Sequence, residues 1–346
     1  MPDRTLTERE LRLALLERQL LLRRSPLALT KAIEQAGLLQ TQYAPSAYIG
    51  LWSRLEGFER SHLTTALERR RVIQATMMRA TIHMSSRRDF WPVIEAVREV
   101  RRDWWRRATR HQGNDTDVRR TADRVRSFLA EGPRRRKEIT SALDLDTTAW
   151  NGAGLWVDMV RVPPSGTWAH RRADLYGLAE AWVGPDTAAP DEGVDLLVRR
   201  YLTGFGPASR GDIASWAGLS LTTIDAALAR TRLRRFRDEG GGALVDVPRA
   251  PLPHVDTPVP VRFLPTWDAT LLVHARRTQI LPEAFRPRVF HTKTPHSVPT
   301  FLVAGQVAGS WRYEDGAISL TVFRTLTRGE RRSVEDEAER IAAFMA

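Results

Sequence analysis

The sequence predicts an α+β protein built from three tandem winged-helix units, a helix-turn-helix variant, followed by a strand-rich C-terminal extension that carries a β-hairpin. An order of helix, helix, helix and paired strands recurs along the chain, and Gly- and Pro-rich turns punctuate each recurrence. Beyond the third recurrence the chain crosses a proline-studded stretch, 251–260, into β-rich segments over 261–326.

Each element follows from local chemistry. Residues 1–24 place Leu13, Leu16 and Leu20 on one face at helical spacing. A helix over 27–36 stops at Gly37, the residue type that accepts the left-handed backbone of a helix end. The run from Leu38 to Pro45 is non-helical, Ser46 is placed to cap a helix over 47–55, and another helix covers 59–70. Residues 72–84, rich in Val, Ile, Thr and Met, read as paired strands and complete the first unit. In the second, a helix over 121–129 precedes Gly132-Pro133 and a basic helix over 134–143. A strand-like run over 156–162 then turns through Pro163-Pro164-Ser165-Gly166 and resumes near Thr167. The third unit is the most regular. A helix over 194–201, a turn from Phe205 to Ser209, a short helix over 210–217 and the turn Gly218-Leu219-Ser220 lead to 221–230 in the recognition position. Strands over 233–237 and 243–247 flank the tip Gly240-Gly241-Gly242, and a last helix is expected over 334–345. Linkers at 113–117 and 184–193 set the domains at 1–115, 116–190 and 191–346, the last including the extension and its hairpin.

Composition narrows the function. The 346 residues include no Cys, which removes disulfides, thiolate metal sites and thiol nucleophiles. No apolar run approaches the ~20 residues that span a bilayer, and the N-terminus mixes Leu with Arg and Glu, so no membrane association and a cytoplasmic, nucleoid-associated location are expected. A net charge of +12 makes a polyanion the natural partner, because each neutralised phosphate releases counterions; an acidic protein or a membrane surface is the other reading. Only Lys31, Lys137 and Lys293 of 53 basic residues are lysine, a ratio that a GC-rich genome explains.

Five stretches together are specific. They are Gly37-Leu38-Leu39-Gln40-Thr41-Gln42-Tyr43-Ala44-Pro45, Met78-Arg79-Ala80-Thr81-Ile82-His83, the segment from Gly206-Pro207-Ala208 to Asp212-Ile213-Ala214-Ser215-Trp216, Phe263-Leu264-Pro265-Thr266-Trp267-Asp268, and Gly305-Gln306-Val307-Ala308-Gly309-Ser310-Trp311-Arg312. Over nearly its whole length the chain resembles the AlkZ-type winged-helix DNA glycosylases. The resemblance implies tandem winged helices that excise bulky or crosslinked N7-alkylguanine lesions, in repair of alkylated DNA or in self-resistance of producers of DNA-alkylating natural products. It implies a catalytic Gln–aliphatic–Gln signature, matched here by Gln40 and Gln42 with Thr41 in place of the aliphatic residue, and a hairpin that contacts the lesion-bearing duplex.

The chemistry accords with those residue types. A glycosylase breaks the bond from deoxyribose to base through an oxocarbenium-like transition state, and an N7-alkylguanine, already cationic, departs neutral without a strong acid. Residues at i and i+2 of an extended segment project to one side, so Gln40 and Gln42 are expected to present two amide carbonyls together, holding a water and placing negative dipole ends near the sugar cation. The alternative is that the pair satisfies backbone groups in a connecting strand. Asp268 is either a base supplied from elsewhere or a cap or turn residue. None of the lysines is assigned Schiff-base chemistry, and a monofunctional glycosylase without metal or cofactor, acting as a monomer on double-stranded DNA with alkylated purines, is expected.

For DNA contact the sequence nominates Arg288, His291, Lys293 and His296 on a polar hairpin, and Arg79 on the first wing, within reach of phosphate. A solvated loop is the other reading of the hairpin; a metal site from His291 and His296 lacks nearby carboxylates. His83 is read as a packed strand histidine, and Trp104, Trp105, Trp156, Trp168 and Trp182 as core. The rival function is a winged-helix transcription regulator without chemistry.

Overall fold

The computed structural model describes residues 3–109, 115–271, 275, 277–291 and 296–346. A helix–strand–helix–helix–strand–strand order appears twice in the N-terminal half. It first runs through Leu29–Ala36, Leu39–Gln40, Ala44–Arg54, Arg60–Glu68, Val72–Thr76 and Ile82–Ser86. It returns as Asp115–Leu129, Arg134–Arg135, Arg136–Ala142, Thr147–Trp156, Met159–Arg161 and Leu175–Leu178. In both, the strand ahead of the second helix pairs antiparallel with the last strand of the unit. The two sets do not stand apart as sequence patterning suggests. Val72–Thr76 pairs antiparallel with Met159–Arg161, so both sets form one sheet of six strands.

The C-terminal half repeats the order with Pro190–Phe205, Arg210–Ala217, Leu221–Arg230, Arg234–Asp238 and Ala243–Asp246, and a single bridge from Ala208 to Val245 stands where the first strand would be. Its caps explain its legibility. Ser209 Oγ accepts from Asp212 N at 3.1 Å, Ser220 Oγ from Thr223 N at 3.1 Å, and Gly218 takes the left-handed backbone at the helix end. The N-terminal strand Arg4–Leu6 adds to this sheet in parallel, and the first helix, Glu8–Arg18, ends earlier than its leucines suggest. Arg18 closes a buried bidentate pair with Asp246 at 2.7 and 2.8 Å, tying that helix to the third unit.

Several expected boundaries move. Pro45, inside the first turn, starts a helix at Ala44, and Ser46 is not its cap. The run read as a strand from 156 is the end of a helix, with the strand confined to Met159–Arg161. The helix Asp115–Leu129 begins inside the first expected linker, and Pro190–Phe205 inside the second. A 22-residue helix, Arg87–Ala108, occupies a region where sequence patterning assigned no element. Ser86 caps it, Pro92 lies inside it, and Phe90, Val93, Ile94, Val97 and Arg101 form its buried stripe.

The extension forms a four-stranded sheet, in the order Arg262–Leu264, Thr300–Val303, Gln306–Glu314, Ala317–Val322, covered by the helix Arg328–Met345. Its core joins Phe263, Phe301, Trp311 and Ile341 to Ile49 of the first unit, so the extension docks on the first unit although it follows the third in sequence. No helix among the described residues is long and apolar enough to cross a membrane.

Candidate active site

The helix Leu29–Ala36 ends at Gly37, whose φ of 75° and closeness to Phe205 (a Cβ would lie 3.0 Å from its ring) both disfavour a side chain. The reversal delivers Leu39 opposite Met84 and Gln40 opposite His83 on the outer edge of the six-stranded sheet. Thr41 N donates to Ile82 O at 2.8 Å, and three residues later the helix Ala44–Arg54 begins. Gln42 is thus held between a strand end and a helix start, exposed, while Gln40 is buried.

The two glutamines meet: Gln40 Nε2 donates to Gln42 Oε1 at 2.7 Å. Thr41 points the other way, and its Oγ1 accepts from buried Gln74 Nε2 at 3.2 Å, which gives a hydroxyl a use at this position. On the far side of Gln74, Gly166 has φ of 75°, and a Cβ there would come within 2.3 Å of the Gln74 amide oxygen. Arg79 sets the polarity of the pair. Its Nη2 donates to Gln40 Oε1 at 3.4 Å. A guanidinium has only donors, so Gln40 must turn its oxygen to Arg79 and its NH₂ to Gln42. Two carbonyls side by side, as i and i+2 spacing suggested, are replaced by a head-to-tail chain in which Gln42 Oε1 keeps one lone pair and Gln42 Nε2 its donors.

Arg79 sits in the turn Met78–Ala80 with φ of 51°, next to Ala80 at 55°. Its other arm donates to the carbonyl oxygen of Trp216 in the third unit. Burial lowers its pKa to about 10, which leaves it cationic at neutral pH. Nominated for phosphate contact, it ties the glutamine pair to the helix Arg210–Ala217.

The family model for AlkZ-like DNA glycosylases matches residues 33–344, a span that contains both glutamines, Arg79 and the hairpin. The chain belongs to the AlkZ-like DNA glycosylases. A solved structure, the DNA glycosylase AlkZ of Streptomyces sahachiroi, is similar with a TM-score of 0.81 and 17% identity, over 99% of this chain and 97% of that one. A comparison with curated proteins gives no match. The protein is therefore a DNA glycosylase, and DNA is what it binds.

In this glycosylase the hairpin strands Phe290–His291 and His296–Ser297 set His291 opposite His296 in register. Lys293 lies outside the described residues, as do the side chains of both histidines. Ser297 anchors the base of the hairpin: its Oγ accepts from Trp267 N at 2.8 Å and its carbonyl accepts from Thr266 Oγ1. Arg288 is exposed, with its guanidinium 4.0 Å from the centroid of Phe323. Asp268 is no free base. It is buried in a bidentate pair with Arg54 at 2.9 and 2.9 Å, and although burial alone would raise its pKa, Arg54 and Thr270 bring it below the ordinary value. His83 is buried in its strand, where desolvation, helped by Arg79, lowers its pKa to about 3, so the ring is neutral. Among the described residues no three His, Asp or Glu side chains gather as a metal site.

Gln42 also lines a cleft of about 420 Å³ between the first and second units. Its other walls include Arg101, Trp104, Trp105, Arg161 and Tyr176. Trp104, read from sequence as core, is 51% exposed. The buried stripe of Arg87–Ala108 was the signal available: Ile94, Val97 and Arg101 repeat at helical spacing, which turns Trp104 and Trp105 toward the second unit.

Proposed function

We propose that this enzyme is a monofunctional glycosylase that hydrolyses the N-glycosidic bond of cationic N7-alkylated guanine, including bulky and crosslinked adducts, in base excision repair or self-resistance. The observation that carries the reading is the Arg79–Gln40–Gln42 chain, which ends in an exposed amide at the mouth of a cleft. Gln42 Oε1 accepts a hydrogen bond from the attacking water with its remaining lone pair, and Gln40 holds that oxygen in place. A glutamine is a very weak base, so the pair acts by orientation and by dipoles laid beside the sugar cation, which restricts turnover to bases that leave without protonation. Departure of a neutral base also makes a metal or cofactor unnecessary.

The strand pairing of the first two units and the Ala208–Val245 bridge support reading all three as winged helices, with domains at 1–115, 116–190 and 191–346. The second unit's helix Thr147–Trp156 carries no charged residue and lines the cleft, and Leu221–Arg230 carries only Asp225 and Arg230, both in ion pairs. Helices so poor in free cations favour a scaffold over a sequence reader, against the regulator reading. The hairpin with Arg288, His291, Lys293 and His296 is assigned to the duplex around the lesion, and a monomer suffices for the whole site.

The test is incubation of the purified protein with a duplex carrying N7-methylguanine. Release of the free base with an alkali-labile abasic site, and no strand scission before alkali, is expected. A sequence-selective footprint without base release would establish the regulator instead.

A further inference from the structure

The walls of the cleft beside Gln42 hold groups that the hydrolysis at C1′ does not itself require. Trp104 leaves half its surface in water, and the other aromatic ring of comparable exposure among the described residues is Tyr43, at 41%, the chain neighbour of Gln42. An indole kept on the surface forfeits a large burial free energy unless something covers it. Trp105, with its ring centroid 6.3 Å from that of Trp104, is fixed from behind by Gly152, where a Cβ would come within 3.0 Å of the indole. Three arginines, Arg101, Arg136 and Arg161, share walls that are otherwise mostly apolar. Arg161 lies over Tyr176 at 5.2 Å, and Arg101 is buried and donates to Thr76 O at 2.6 Å. One carboxylate, Asp158, shares the lining; it is engaged by Arg98 at 2.8 Å and stands 3.9 Å from Arg101. Burial lowers the pKa of Arg101 to about 10, still far above neutral pH.

We propose that this cleft is the seat of the departing nucleobase: a planar purine stacks on Trp104 with its acceptor atoms toward Arg101 and Arg161, while its sugar stays at Gln42. The proposal rests on the glutamine pair being the place of hydrolysis, and it adds what happens to the other half of the broken bond. The C1′–N9 electron pair goes to the base, the positive charge passes from base to sugar, water oxygen bonds to C1′, and its proton is released to solvent. Guanidiniums around the base favour the state in which it has received the electron pair and lost its charge. The Gln42 amide oxygen beside the sugar favours the state in which that charge has arrived there. The two linings therefore act on the same displacement of charge from opposite ends. The volume of about 420 Å³ falls among pockets that bury drug-sized ligands, ~300–1,000 Å³, so a purine bearing more than a methyl group has room.

The experiment uses the full-length protein and its Trp104→Ala and Trp104→Phe variants, with free 7-methylguanine as the probe. Binding is followed by calorimetry, and single-turnover base release is followed on an N7-methylguanine duplex. Wild type should bind the free base; Trp104→Ala should bind about tenfold more weakly and release base about tenfold more slowly, and Trp104→Phe should restore most of both, as base–aromatic stacking requires. Trp104 is at the surface, so equal melting temperatures of the three proteins are expected. No binding of the free base by wild type, or equal binding and release by Trp104→Ala, would overturn the proposal and leave hydrolysis at the pair untouched. Full base release by a Gln40→Ala/Gln42→Ala protein would instead sink the catalytic pair, whatever Trp104 does.

Discussion

Replacing Arg79 with alanine removes the donor that fixes the flip of the Gln40 amide and, through it, the carbonyl of Gln42. A hydrogen bond from a charged group is worth ~1.5–3 kcal/mol, and the 3.4 Å separation is long for an N–H···O contact, so the lower end applies. About 1.5 kcal/mol of lost transition-state stabilisation is about a tenfold fall in rate. The backbone provides a control. With φ of 51°, Arg79 occupies a conformation natural to glycine, so Arg79→Gly should be more stable than Arg79→Ala by about 1 kcal/mol and yet as slow. Single-turnover base release at saturating enzyme, beside thermal denaturation, reads both quantities. Wild-type turnover in Arg79→Ala refutes the positioning role. So does a defect confined to DNA affinity with the salt slope reduced by about one, the signature of a lost phosphate contact.

Other consequences are independent of catalysis. Asp246→Ala strands Arg18 in a fully buried site, so urea denaturation should show a loss of ~3–5 kcal/mol, much of it recovered in an Arg18→Met/Asp246→Leu double variant. His83, with an ordinary pKa near 6.5 when unfolded and about 3 when folded, stays neutral in the folded protein while the unfolded chain takes up a proton. Its contribution to stability is therefore intact above pH 6.5 and is lost progressively as pH falls toward 3, by at most ~1.4 kcal/mol per unit. The stability difference between wild type and His83→Asn, measured from pH 4.5 to 6.5, should show that slope; a flat difference contradicts the burial argument.

What the sequence made legible was local. Ser209, Gly218 and Ser220 announce the ends of helices in the third unit by their own chemistry, and the spacing of Gln40 and Gln42 was enough to place their side chains on one side. What it hid depends on residues far apart in the chain. Nothing near Gln40 announces that Arg79 will reach it from another strand's turn, and so the amides were expected carbonyl beside carbonyl. Pro92 and a dense run of arginines obscure the stripe of Arg87–Ala108, and Trp104 stands exposed although it follows Arg101 at helical spacing. The extension follows the third unit in sequence, yet Ile49 and Arg54 of the first unit receive it through Phe263 and Asp268, a pairing that no local pattern encodes. The joining of two sheets through Val72–Thr76 and Met159–Arg161 is of the same kind.

The most direct measurement is single-turnover release of 7-methylguanine from duplex DNA by a Gln40→Ala/Gln42→Ala protein. Loss of preorganised dipoles at a developing charge costs ~100-fold or more in rate, and that loss is expected with DNA affinity unchanged. Release at the wild-type rate would contradict the account, because the water is assigned to the Gln42 amide oxygen that Gln40 holds in place.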